Sequence, residues 1–246
     1  MPDITISRRF CGPPRSANGG YAAGRLAAYL EGPAEVTLVA PPPLDRPLAV
    51  LCGEDGSVEL RSDASRLAVA RPAPAPPVEF PVPSAAEADA AATRSLPRDR
   101  HQLPGCFVCG PDRAPGDGLR LHVGPLDPGD DEWEGVLAAC WRPAADLAGA
   151  DGQVLPEFLW AALDCPTAYA CGSPAGMPPI LLGRQAVAVF ARPQAGTDVI
   201  VLARRTGREG RKHFADAALY DPDGTPLAVC RTTWIEVSPE VLRGIG

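Results

Sequence analysis

One order of elements recurs along the chain and constrains its fold more than any figure of composition. A strand is followed by an apolar helix and then by several short strands, once in each half. In the first half "DITISRR" reads as a strand and "SANGGYAAGRLAAYL" (16–30) as a helix, with Ser16 or Asn18 available as its cap and "GPAE" ending it. "AEVTLVAPPPLDRPLAVLCGEDGSVELRSDASRLAVARP" then alternates apolar and polar residues, broken by "PPPLDRP", "EDGS" and "SDAS", the pattern of an antiparallel meander. In the second half "DEWEGVLAACWRP" is the strand and "VLPEFLWAALDCPTAYAC" the helix. "LLGRQAVAVFARP", "TDVIVLARRTG", "RKHFADAALYDPDG" and "PLAVCRTTWIEV" follow as four strands, with "PDG" marking a hairpin. The duplication is one of pattern, without close identity between the halves.

Between the halves the composition changes. "RPAPAPPVEFPVPSAAEADAAATRSLPRDR" is rich in Pro and Ala and reads as a linker, extended first and briefly helical around 84–94. "GCFVCGPDRAPGDGLRL" continues as turn-rich loop. The expected organisation is an N-terminal unit at 1–72, a linker and Cys-containing loop at 73–130, and a C-terminal unit at 131–246.

The formal net charge of −7 argues against a broad nucleic-acid surface, which needs a basic field. Lys212 is the single lysine among the 23 basic residues, an Arg bias that goes with the Ala and Pro excess and points to a GC-rich genome. No stretch of about twenty apolar residues exists to span a membrane, and "MPDITISRRF" lacks the apolar core of an export signal. The eight cysteines are therefore expected as reduced thiols in the cytoplasm.

One strand, a long central helix and a meander is the element order of the hotdog fold, in which an antiparallel sheet wraps around one apolar helix. The chain resembles two such units in tandem, an α+β double hotdog. The likeness is carried by "NGGYAAG", by the helix containing Asp164, and by "GREGRKHFADAALYDPDGTPLAVCRTTW", which is similar to the closing strands of acyl-CoA thioesterase-like proteins. That resemblance implies hydrolysis of an acyl-CoA or acyl-carrier thioester, no metal or other cofactor, and further pairing into a homo-oligomer.

It also implies a site between two facing helices. One helix start gives a backbone N–H, usually at a Gly, to the developing oxyanion; the other helix gives a carboxylate about two turns in. The family pattern is His or Asn, Gly, Gly, then a carboxylate eight residues beyond the first Gly. Asn18, Gly19 and Gly20 match its start, but position 27 is Ala. Asp164 matches its end, but eight residues earlier stands Pro156, which has no N–H. Each helix lacks what the other keeps, so one composite site is expected, Gly19 and Gly20 facing Asp164, with Pro156 and Ala27 at a dead counterpart. Asn18 would orient the water or the acyl group, and Thr167 would hold the water.

Structural readings stand beside each of these. Pro166 disrupts a helix that includes Asp164, and Asp164 can instead cap a second segment beginning at Cys165. Asn18 is also an ordinary N-cap, Gly19 and Gly20 also suit close helix-to-strand packing, and Thr167 also suits a bond back to a helix carbonyl. Glu157 reads as a first-turn acid. In "HQLPGCFVCG", His101, Cys106 and Cys109 have the residue types and spacing of a zinc site, with Cys11 the one tempting fourth ligand; a redox dithiol or plain buried thiols fit the same residues. Cys165 reads as core. Arg208, Arg211 and Lys212 form the dense basic cluster in an acidic chain, suited to coenzyme A phosphates or to a solvated hairpin. Two further readings remain: a non-catalytic hotdog that binds an acyl chain, and a hydratase or dehydratase, which the absence of a His near either helix disfavours.

Overall fold

The computed structural model describes residues 2–95, 101–129, 135–172 and 178–245. Among these residues, eleven strands form one sheet in the order β1-β3-β4-β5-β2-β8-β11-β10-β9-β7-β6, with every pairing antiparallel. The first half supplies β1 (Asp3–Thr5), β2 (Ala34–Leu38), β3 (Pro47–Cys52), β4 (Val58–Ser62) and β5 (Ser65–Pro72). The second supplies β6 (Gly124–Pro125), β7 (Leu137–Trp141), β8 (Ile180–Val189), β9 (Val199–Glu209), β10 (Lys212–Tyr220) and β11 (Pro226–Glu236). The halves join where β2 lies beside β8, in register from Ala34 opposite Val187 to Thr37 opposite Arg184.

Helix α1 (Gly19–Ala27) is capped by Asn18, whose side chain accepts the N–H of Tyr21. It packs on β2, β4, β5 and β8. The second apolar helix is divided: α3 (Pro156–Ala162) stops, Leu163 takes ψ −11°, and α4 (Asp164–Ala170) begins. Pro166 accounts for the break, since it cannot donate to the carbonyl of Ala162 four residues back. Helix α4 packs on β7 through β11, whereas α3 lies chiefly along α1.

That helix pair meets at glycines. A Cβ on Gly20 would fall 2.5 Å from Cβ of Asp164 and 2.7 Å from the carbonyl oxygen of Trp160. A Cβ on Gly24, one turn later, would fall 2.7 Å from Cα of Glu157. The two glycines share one face of α1 and let its backbone approach α3 and α4. Gly19 faces the sheet instead, where its Cβ would meet Leu182 and Leu38.

The Pro- and Ala-rich segment is packed against the sheet. Ser84 and Glu87 form a reciprocal capping box at the start of α2 (Ala85–Ala92), within the stretch expected to be briefly helical. Val78, Phe80, Ala88 and Ala91 cover Ala138, Ile200, Leu202, Ala218 and Tyr220 in a second core on the outer face. Val199, Val201 and Ala203 of β9 face the main core. A strand covered on both sides reads as a continuous apolar run, and "VIVLA" is one. A short α5 (Pro239–Ile245), with no counterpart in the sequence reading, closes the chain.

Candidate functional site between the helices

The break in the second helix sets Asp164 against the start of α1. Its carboxylate is 2 % exposed, and one oxygen, Oδ2, accepts two hydrogen bonds: from Nδ2 of Asn18 at 2.7 Å and from the backbone N–H of Gly20 at 3.0 Å. Asp164 thus caps neither its own segment nor the one beginning at Cys165; it reaches across and caps the N-terminus of α1. The other oxygen, Oδ1, is buried and has no hydrogen-bond partner. Burial pushes the carboxyl up to about 7, against the opposing pull of the Gly20 and Asn18 donors.

Beside this carboxylate lies a largely apolar cavity of about 360 Å³, a volume that suits a small organic group. Asn18, Gly19 and Asp164 line it, with Leu38, Tyr169 and Trp234 among the apolar walls. Gly19 occupies the first position of α1, where a backbone N–H has no intrahelical acceptor. Gly20 does not line the cavity, and its N–H is already given to Asp164. The two glycines, expected to act alike, therefore have different roles: Gly20 holds the carboxylate, and Gly19 faces the space beside it.

Thr167 is fully buried, its hydroxyl donating back to the carbonyl of Asp164 at 2.6 Å and accepting Nε1–H of Trp234 at 2.9 Å. With both bonds made inside the protein, it positions the first turn of α4 and lies outside the cavity lining. Glu157 lies 4.0 Å from Arg25, an ordinary half-exposed ion pair.

Three thiols share the cavity wall. Cys106 and Cys109, from the turn-rich loop that follows the linker, meet Cys165 of α4, the Cys106 and Cys165 sulfurs standing 3.7 Å apart. Hydrogen bonds from its sulfur and backbone neighbours hold the Cys106 thiol well below the usual thiol range, while the same contacts and burial push Cys109 and Cys165 up. Cys165, expected to be plain core, thus joins the CxxC pair; a separation of 59 residues hid that meeting from sequence. Cys11 is elsewhere, its sulfur against the carbonyl of Gly105 and Nη2 of Arg113. His101 lines the cavity with Nδ1 accepting the N–H of Leu103 and a buried, unpartnered Nε2.

The basic cluster sits at the β9–β10 hairpin. Arg208 donates to Glu236 at 2.7 Å, and buried His213 shares a hydrogen bond with the same carboxylate at 2.7 Å. Lys212 pairs in register with Ile235, a cavity residue, so the hairpin adjoins the cavity's rim. His122 lies in loop, its Nε2 within 3.1 Å of the carbonyl oxygen of Cys109.

No family profile and no curated sequence matches the chain. Solved structures match it over nearly its whole length. A conserved protein with a hot dog fold from Alicyclobacillus acidocaldarius aligns at 16 % identity over 96 % of this chain and 93 % of its own, with a TM-score of 0.60. A protein from Thermobifida fusca, described as a candidate thioesterase II, aligns at 14 % identity over 96 % and 91 %, with a TM-score of 0.61. The tesB protein of Mycobacterium avium subspecies paratuberculosis aligns at 14 % identity over 92 % and 89 %, with a TM-score of 0.56. The chain therefore has the hotdog fold. Among the described residues, no helix is long and apolar enough to cross a membrane.

Proposed function

We propose that the chain is a double hotdog that hydrolyses an acyl thioester, of coenzyme A or of a carrier protein, at one composite site between α1 and α4. The observation that carries this reading is the buried carboxylate of Asp164, a residue that lines an apolar cavity, with one oxygen fixed by Asn18 and Gly20 at a helix start and the other without a hydrogen-bond partner. A buried carboxylate is costly to maintain for structure alone.

In the proposed reaction, Asp164 takes a proton from a water molecule as the oxygen attacks the thioester carbonyl. The carbonyl oxygen becomes an oxyanion held by the N–H of Gly19 at the positive end of α1. Collapse breaks the carbon–sulfur bond, and the leaving thiolate recovers the proton from Asp164, giving a carboxylic acid and a thiol. Asn18 and Gly20 keep the carboxylate oriented, and Thr167 with Trp234 fixes the turn that carries it. Arg208, Arg211 and Lys212 are the proposed contacts for coenzyme A phosphates.

The alternative, an acyl-binding protein without catalysis, is favoured by a cavity that is closed or filled; here Gly19 and Asp164 both line the cavity. The test is a hydrolysis screen over acyl-CoA esters from short to long, following thiol release. Turnover that depends on acyl length supports the proposal; binding without thiol release across the series supports the acyl binder.

A further inference from the structure

The cavity wall beside the start of α1 carries a group of side chains that the hydrolytic reading leaves unused. Among the described residues, the sulfurs of Cys106, Cys109 and Cys165 form a group of ligand-capable atoms all within 4.8 Å of one another, and all three residues are buried. Thiols are weak hydrogen-bond donors and weak acceptors, so three of them gain little from one another's company. A tetrahedral zinc with sulfur bonds of about 2.3 Å sets its sulfurs about 3.8 Å apart. The Cys106 and Cys165 sulfurs are 3.7 Å apart.

The loop that carries two of the sulfurs is tightly built. The turn that carries Cys106 and Cys109 is closed by Gly110, whose N–H bonds the carbonyl of Cys106 at 2.8 Å. A Cβ there would lie 2.4 Å from that carbonyl oxygen, so the turn requires glycine. It brings the Cys106 and Cys109 sulfurs together with that of Cys165. The Nδ2 of Asn18 lies 4.0 Å from the Cys106 sulfur and 3.9 Å from that of Cys165, adding a donor.

We propose that Cys106, Cys109 and Cys165 bind one zinc ion as three thiolates, with the fourth coordination position opening on the cavity. All three line that cavity, as does Asp164, the residue before Cys165. Zinc displaces the thiol protons to solvent, and no redox change is involved. The ligand set differs from the one suggested by sequence. Cys11 is held by Arg113 and Gly105 outside the group, and no ligand atom of His101 lies within 4.8 Å of all three sulfurs. A disulfide accounts for the arrangement less well, because it pairs two sulfurs at about 2.05 Å and strands the third.

The site stands whether or not the cavity hydrolyses thioesters, and its test reads metal, not turnover. Full-length protein is expressed with zinc in the medium and purified under reducing conditions, and its metal content is measured by mass spectrometry. One zinc per chain is expected. Cobalt substitution should give an intense sulfur-to-cobalt charge-transfer band with tetrahedral d–d bands. Cys52→Ser, at an exposed thiol on β3, should retain the zinc, and Cys165→Ser should lose most of it. Should Cys165→Ser fail to fold, the cobalt spectrum of the wild-type chain decides. Folded, reduced wild-type protein with less than a tenth of an equivalent of zinc and no charge-transfer band overturns the proposal. So does loss of zinc in Cys52→Ser equal to that in Cys165→Ser.

Discussion

The starts of α1 and α3 are equivalent in chain order and opposite in what they do. At α1, Gly19 and Gly20 bring backbone N–H groups with no intrahelical acceptor; that of Gly20 goes to Asp164, and Gly19 lines a cavity. At α3 the first helical residue is Pro156, so there is no N–H to offer, and Leu155 makes no capping bond. The space around that start is occupied by aromatic rings. Phe158, in its first turn, lies 5.6 Å from Tyr21 and 5.9 Å from Phe10, and Phe10 stacks on Tyr21 at 4.2 Å between centroids. A helix start is a potential anion site only while its donors are free and the space before them is open. One proline and a cluster of rings are enough to turn such a start into packing.

The comparison is broken most severely by closing the gap at α1. Gly20→Ala puts a methyl against Asp164 and the carbonyl of Trp160, and should cost about 3 kcal/mol of stability, measured by denaturant unfolding. Pro156→Ala at the other start should cost under about 1 kcal/mol, since it frees only backbone entropy in the unfolded chain. Equal losses at the two positions would mean that the starts are packed alike.

The second test concerns the hairpin beside the cavity's rim. Replacing Arg208, Arg211 and Lys212 together with Ser should raise KM for an active acyl-CoA several-fold at low salt, with a smaller effect at high salt as screening takes over. An unchanged KM at low salt moves the phosphate site elsewhere. Smaller still, Trp234→Phe removes the indole donor to Thr167 and should lower stability by about 1 kcal/mol in thermal unfolding. The smallest effect is expected from Ala27→Asp with Pro156→Gly, which returns an N–H and a carboxylate to the aromatic start. Hydrolysis should change less than about twofold, because the rings leave no room for substrate; a marked gain would make the two starts interchangeable.

The pattern of period-2 runs and two apolar helices was enough to place ten of the strands and both helices, because each run answers to its own local burial. The break at Leu163 was foreseeable from Pro166, whose effect is local. What sequence could not place was pairwise and distant. That Gly20 gives its N–H to Asp164 while Gly19 borders the cavity depends on how α1 lies across α4. Thr167 suited a water as well as a backward bond until Trp234 was seen to complete its hydrogen bonding. The CxxC pair was visible, but its third partner lay in a helix where a Cys reads as one more apolar residue. The segment around Val78 and Phe80 looked like a linker because proline hides apolar anchors that pack without regular structure.

Asp164→Asn bears most directly on the account's central claim. Both hydrogen bonds that fix the carboxylate go to one oxygen, Oδ2. An Asn whose carbonyl oxygen takes that place keeps both bonds and replaces the unpartnered Oδ1 with an amide group, so the melting temperature should stay near that of the parent. Turnover of the best acyl-CoA substrate should fall about a hundredfold or more, since the amide cannot take a proton from water. A variant that keeps the parent's turnover as well as its stability would contradict the account, and would leave Asp164 as a cap on α1 and nothing more.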